Sequence, residues 1–96
     1  MAYSLTASAE SDLGDIAYYT VQRWGFEQWE TYREKLYAAF ERLGTFPDIG
    51  HHSPELPEGV RRFPVEAHAV LYMQDAEGSV VIIGLYHQRR SRHKPF

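Results

Sequence analysis

The chain has 96 residues, no cysteine, a net charge of −3, and 44% hydrophobic and 15% aromatic residues. That length holds one domain, residues 1–96, with a thin core, and the apolar content excludes a disordered chain. A disulfide framework or thiolate metal centre is excluded, no apolar run approaches the ~18 residues of a bilayer span, and no charged leader precedes an apolar stretch, so a cytoplasmic protein is expected.

The charge is unevenly placed. Residues 1–59 hold ten acids and four bases, whereas residues 60–96 hold three acids and six bases. Such a division points to a cationic working end, or simply to helices that carry solvated carboxylates.

The opening AYSLTA alternates Tyr3, Leu5 and Ala7 with Ser4 and Thr6, the pattern of a short half-buried strand. Ser8 offers an N-cap, and Glu10, Asp12 and Asp15 sit where a helix dipole favours acids. Leu13, Ile16, Ala17, Thr20 or Val21, and Trp24 recur at spacings of three and four, one apolar helix stripe that Gly25 should close in a left-handed C′ position. A second helix starts near Phe26 or Glu27, with Trp29, Tyr32, Leu36, Ala39, Phe40 and Leu43 as its stripe and Gly44 and Pro47 as its end. So short a joint makes an antiparallel helix hairpin.

Residues 47–59, PDIGHHSPELPEG, read as a loop with fixed kinks. Three strands follow. VRRFPVE carries Pro64, a mark of an edge or bulge. HAVLYMQD comes second, and a DAEGS turn around Gly78 leads to SVVIIGLYH, the most apolar and therefore the central strand. The order β-α-α-β-β-β buries both stripes if the hairpin lies on one face of a small antiparallel sheet, an α+β domain.

Several stretches, taken in order, resemble the ParE branch of the RelE/ParE toxin superfamily. They are SAESDLGDIAYYTVQRWGFEQ with Arg23, Trp24, Gly25 and Gln28; Gly50 followed by Glu55-Leu56 and Gly59-Val60-Arg61-Arg62; and the ending with His87, Gln88, Arg92 and His93. The resemblance covers nearly the whole chain. It implies a RelE/ParE-like fold, a cognate ParD-like antitoxin that wraps the toxin in a hetero-oligomer, and DNA gyrase as the target. RelE-like members share the fold but cut mRNA on the ribosome, and fold alone does not separate the two activities.

The residues themselves weigh on that choice. Metal-free RNA cleavage needs groups that move protons and groups that hold phosphate. The sequence offers Arg61, Arg62, Tyr86, His87 and Arg89 for these tasks, with Glu55, Glu58 and Glu66 in the region but no obvious carboxylate base near Arg61, and arginine holds phosphate without shuttling protons. Only Lys35 and Lys94 are lysines, and neither lies on the middle strands. The pair His51-His52 does not share a helix face, and His68, His87 and His93 are scattered, so no metal and no other cofactor is expected. The ending LYHQRRSRHKPF is strongly basic yet lacks interleaved aromatics for base stacking, which favours contact with protein. Non-catalytic target contact is therefore expected from His87, Arg89, Arg90, Arg92 and His93, with Arg61 and Arg62 nearby. The helices carry more aromatics than one stripe each can bury, and Trp24, Phe26, Trp29 and Tyr32 are expected to receive the antitoxin. The alternative is a ribosome-dependent mRNA endonuclease using Tyr86 or His87 with the arginines.

Overall fold

The computed structural model describes residues 3–89. β1 (Tyr3–Leu5) leads into α1 (Ala7–Trp24), and Gly25 alone joins α1 to α2 (Phe26–Thr45). After a loop come β2 (Arg61–Val65), β3 (His68–Gln74) and β4 (Val80–His87), which completes the expected β-α-α-β-β-β order.

α1 is capped by Thr6 rather than by Ser8. The Thr6 side chain accepts a hydrogen bond from the Ala9 N–H at 3.1 Å, while its own N–H donates to the Ile82 carbonyl at 3.0 Å. Strand pairing already holds Thr6 extended, and an extended residue is what an N-cap requires. Gly25 ends the helix, but at φ 97° and ψ 167° rather than in the left-handed helical region. That conformation is open essentially only to glycine. The Gly25 N–H still satisfies the Val21 carbonyl at 3.0 Å, and its carbonyl accepts from the Trp29 N–H at 3.2 Å. One residue thus closes one helix and opens the next. α2 runs through Gly44 to Thr45, and Pro47 lies just beyond it.

The α2 stripe is realised as expected: Trp29, Leu36, Ala39, Phe40 and Leu43 are buried and Tyr32 packs half-buried beside them. They meet Val65, Val70, Tyr72, Val80, Ile82 and Leu85 of the sheet in a single core. Each of the larger apolar side chains contributes roughly 1.5–3 kcal/mol by leaving water. Leu36→Ala or Phe40→Ala would remove about 2–5 kcal/mol. The α1 stripe is shorter than its spacing suggests. Its buried residues end at Thr20, Val21 is half-buried, and Trp24 is 65% exposed, so α1 outruns the core by one turn.

The sheet order is β1-β4-β3-β2, with the apolar β4 inside as expected. β2, β3 and β4 are antiparallel, while β1 pairs parallel to β4 (Tyr3 opposite Val80, Leu5 opposite Ile82), which makes the four-stranded sheet mixed. β2 is an edge strand. Its Arg62 exchanges two backbone hydrogen bonds with His51 at 2.8 and 2.9 Å, and Pro64, of the same parity, turns its donorless nitrogen outward. Leu71 faces Gly84 but Tyr72 faces Ile82, so Ile83 is an extra residue in β4. This bulge flips the alternation of β4 and keeps Leu85 and His87 on the same face as Val80 and Ile82.

The loop after α2 is tied to the core by one phenol. The buried Tyr72 hydroxyl donates to the Pro47 carbonyl at 2.7 Å and accepts from the Gly50 N–H at 2.8 Å. Burial pushes the Tyr72 phenol up, which keeps its hydrogen in place for that donation. Among the described residues no helix is long and apolar enough to cross a membrane.

Candidate binding site at the end of the sheet

The sheet delivers two different surfaces to the C-terminal end of β4. Register places His68 opposite His87 and Val70 opposite Leu85, on the face that receives the helices. It places Ala69 opposite Tyr86 and Arg62 opposite Leu71, on the other face. Ala69 is fully buried, and its small side chain leaves Arg62 free to cross β3 and reach β4.

On that open face Arg62 is fixed at two points. Its Nε donates to the Tyr86 hydroxyl at 2.9 Å and its Nη2 to the Gln88 side-chain carbonyl at 3.0 Å. Gln88 is itself held: its amide nitrogen donates to the Glu66 carbonyl at 2.9 Å and its backbone N–H to the Ala67 carbonyl at 2.9 Å. The three side chains form a hydrogen-bonded group beside a small cleft of about 200 Å³, bounded by His51, His52, Ser53 and Leu56 of the loop.

On the helix-facing side Tyr32 of α2 meets His68, its hydroxyl 2.6 Å from His68 Nδ1. The same oxygen accepts from the Ala67 N–H at 3.2 Å. Burial pushes the Tyr32 phenol up, so its hydrogen stays and is donated to Nδ1. The arrangement that uses every polar hydrogen therefore leaves His68 Nδ1 bare and its proton on Nε2. The His87 ring stands edge-on to His68 with centroids 5.1 Å apart. Burial first, and the neighbouring His87 second, lower the His68 pKa to about 4. His68 is neutral at pH 7 and sits at the base of a cleft of about 500 Å³ between α1 and β4. Asp12, Asp15 and Tyr19 form its helical wall, with Arg89 at the strand end. Asp12 Oδ2 accepts from the Leu85 N–H at 3.0 Å, taking the place of a strand partner where β1 has already ended.

Of the residues expected to contact a target, the structure brings His87, Arg89 and Arg62 to this end of the sheet. Arg61 is placed elsewhere. One residue from Arg62 along β2, it points to the opposite face, donates to the Asp48 and Gly50 carbonyls at 3.2 and 2.9 Å, and pairs with the Asp48 carboxylate at 3.5 Å. It staples the loop. Arg90, Arg92 and His93 lie outside the described residues. The aromatic set divides as well. Trp24 and Phe26 are 65% and 61% exposed on either side of Gly25, whereas Trp29 is buried and the Tyr32 hydroxyl is committed to His68 and Ala67. Arg23 lies over both the Tyr19 and Trp24 rings, at 5.6 and 5.8 Å.

Sequence reasoning missed the role of His68, which stood as one of several scattered histidines. Its parity with Val70 and Tyr72 in β3 is the signal that placed it inward. Asp12 was read only as an acid of the early helix turns. Among the described residues no group of three His, Cys, Asp or Glu side chains is arranged to hold a metal ion.

Comparison with known proteins adds a family to this geometry. Residues 3–92 match the family described as ParE toxin of type II toxin-antitoxin system, parDE. Toxin ParE1 of Mycobacterium tuberculosis is 32% identical over 87 residues, which cover 91% of this chain and 89% of that protein. Toxin ParE1 of Caulobacter vibrioides is 37% identical over 86 residues, covering 90% and 88%. A solved structure described as the chromosomal ParDE TA system from P. aeruginosa superposes with a TM-score of 0.77 at 19% identity, over 91% of this chain and 95% of that one, a likeness of fold.

Proposed function

This chain belongs to the ParE toxin family of type II toxin–antitoxin systems, and from that premise we propose that it acts in the cytoplasm by binding and inhibiting DNA gyrase, breaks no bond itself, and is neutralised by a cognate ParD-like antitoxin. The observation that carries this reading is how the polar groups at the end of the sheet are used. Arg62 is tied to Tyr86 and Gln88, and His68 is tied to Tyr32. Groups held in mutual hydrogen bonds on rigid strands present a fixed shape and charge, which suits recognition. His87 and Arg89 extend that surface, and the sequence continues with Arg90, Arg92 and His93. The exposed Trp24 and Phe26, one on each side of the hairpin joint, are the aromatic anchors offered to the antitoxin.

The test is a supercoiling assay with purified gyrase and purified toxin, with and without antitoxin. Dose-dependent loss of supercoiling, reversed by the antitoxin, is the expected result; full gyrase activity at large toxin excess overturns the proposal. One contact favours the second reading, ribosome-dependent mRNA cleavage: the Arg62 guanidinium sits on the Tyr86 hydroxyl, a phosphate holder beside a proton carrier. Primer extension on translated messages after induction separates the two, since only a nuclease leaves discrete new ends.

A further inference from the structure

Two ion pairs occur among the described residues, Lys35 with Glu66 and Arg61 with Asp48. Arg62 belongs to neither, although it is half-buried on the open face of the sheet. Its partners, the Tyr86 hydroxyl and the Gln88 carbonyl, are both neutral. Drawing a guanidinium out of water is costly unless an anion answers it. A cation that is half-desolvated, immobilised and matched only by neutral acceptors among the described residues can serve as a receptor for an anion from outside the chain.

The geometry describes that anion. A guanidinium has five N–H donors. Two of them, on Nε and Nη2, are spent on Tyr86 and Gln88. Three hydrogens are left, two on Nη1 and one on Nη2, and one from each nitrogen can fork onto two oxygens of one group. The Tyr86 hydroxyl accepts from Arg62, so its own hydrogen is also free to donate. The adjoining cleft of about 200 Å³ holds one small group and has Leu56 for an apolar stem. Glu55 lies at the same cleft, its carboxylate accepting from the Ser53 hydroxyl at 3.2 Å. Glu55 makes no ion pair with Arg62, and its charge opposes a chain of phosphates more strongly than a single carboxylate delivered on an apolar stem.

We propose that Arg62, held by Tyr86 and Gln88, is the seat for one Asp or Glu side chain of a protein partner. The proposal rests on the reading of this chain as a protein binder, and it names the chemistry by which one contact is made. It also separates Arg62 from Arg61, whose guanidinium is already answered within the chain.

The experiment uses the full chain, 15N-labelled, at pH 7, and follows by NMR the Arg62 Nε–H signal and the Gln88 side-chain amide signal, the second of which persists when Arg62 is replaced. Three blocked pentapeptides are titrated, identical except for a central glutamate, glutamine or phosphoserine. Saturable movement with the glutamate peptide, at least about tenfold tighter than with glutamine and lost in Arg62→Gln, is expected, since only the glutamate completes a charge-assisted fork. Tyr86→Phe should weaken the glutamate peptide several-fold while sparing the fold. Equal binding of glutamate and glutamine, or no saturable shift, overturns the proposal. Phosphoserine binding tenfold tighter than glutamate overturns the choice of carboxylate and assigns the seat to phosphate. The glutamate–glutamine comparison is made on the unaltered chain, so it stands whether or not Arg62→Gln folds. It also needs no gyrase, so its failure and a failure of gyrase inhibition are separately visible.

Discussion

Acid should loosen this fold through one residue, His68. Its side chain is enclosed by Tyr32 of α2, by His87 of β4 and by the cleft that Asp12, Asp15 and Arg89 line, while Glu66 at the β2–β3 turn pairs with Lys35 nearby. Protonating His68 would place a charge in a half-dry site, put a hydrogen on the Nδ1 that accepts from Tyr32, and face it toward a second imidazole. Burial first, and the neighbouring His87 second, hold its pKa near 4 instead of 6.5. The unfolded chain therefore binds a proton that the folded chain refuses between those two values. Above pH 6.5 both forms are neutral and no penalty exists. As pH falls from 6.5 toward 4 the unfolded state gains protons and stability is lost.

At 1.36 kcal/mol per pH unit the full shift corresponds to about 3 kcal/mol, which solvent screening of the half-buried ring reduces to about 1–2 kcal/mol, most of it between pH 6.5 and 4.5. That is a large share of the stability expected of so small a domain. The assay is urea unfolding at half-unit steps from pH 7.5 to 4.5, on the native chain and on His68→Gln, whose amide oxygen can still accept from Tyr32. The native chain should lose about 1 kcal/mol more than the variant over that range. NMR should show Nδ1 bare and Nε2 protonated at pH 7. If His68 titrates near 6.5, or if both proteins lose stability in parallel, the burial argument is refuted.

Other consequences follow from the packing. Gly50→Ala drives a methyl group into the buried Tyr72 hydroxyl, and should cost about 2–4 kcal/mol by urea titration, through overpacking and loss of the Pro47 and Gly50 hydrogen bonds. Trp24→Ala with Phe26→Ala should leave stability within about 0.5 kcal/mol, because both rings are exposed, yet weaken antitoxin binding at least about tenfold by calorimetry. Trp29→Ala should instead lower stability by about 3–5 kcal/mol, a core effect visible without any partner. Removal of residues 89–96 should abolish growth arrest on induction and leave antitoxin binding intact; loss of both together would show that the segment serves folding.

Much of this was legible in the sequence, for identifiable reasons. The α2 stripe could be read because six residues at helical spacing all enter the one core that α1 and the sheet share. The place of β4 was readable from eight nearly continuous apolar residues, which only a strand covered on both edges carries. The same run concealed the bulge at Ile83, because where every residue is apolar a change of face leaves no mark. Trp24 has the right spacing for the stripe, but spacing does not record where the sheet stops. Thr6 displaced Ser8 as cap because a contact with Ile82, distant in sequence, fixed its backbone first. The parallel pairing of β1 with β4 likewise depends on which edge remains open once β3 has taken the other.

The pair Arg61-Arg62 shows why charge read along the chain misleads about a site. As sequence it is one basic dipeptide. In a strand, neighbouring side chains leave on opposite faces, so one guanidinium meets the Asp48 carboxylate and the loop carbonyls and the other meets two neutral oxygens. The first completes the fold, because its charge is satisfied by residues that must stay in place. The second carries an unspent charge that the fold holds still. Equal charge at adjacent positions therefore predicts unequal function, and a matched pair of substitutions, Arg61→Gln and Arg62→Gln, should divide accordingly: the first lowers stability with binding retained per folded molecule, the second lowers binding with stability nearly unchanged. If both substitutions act alike, alternation along β2 has not determined which arginine meets the partner.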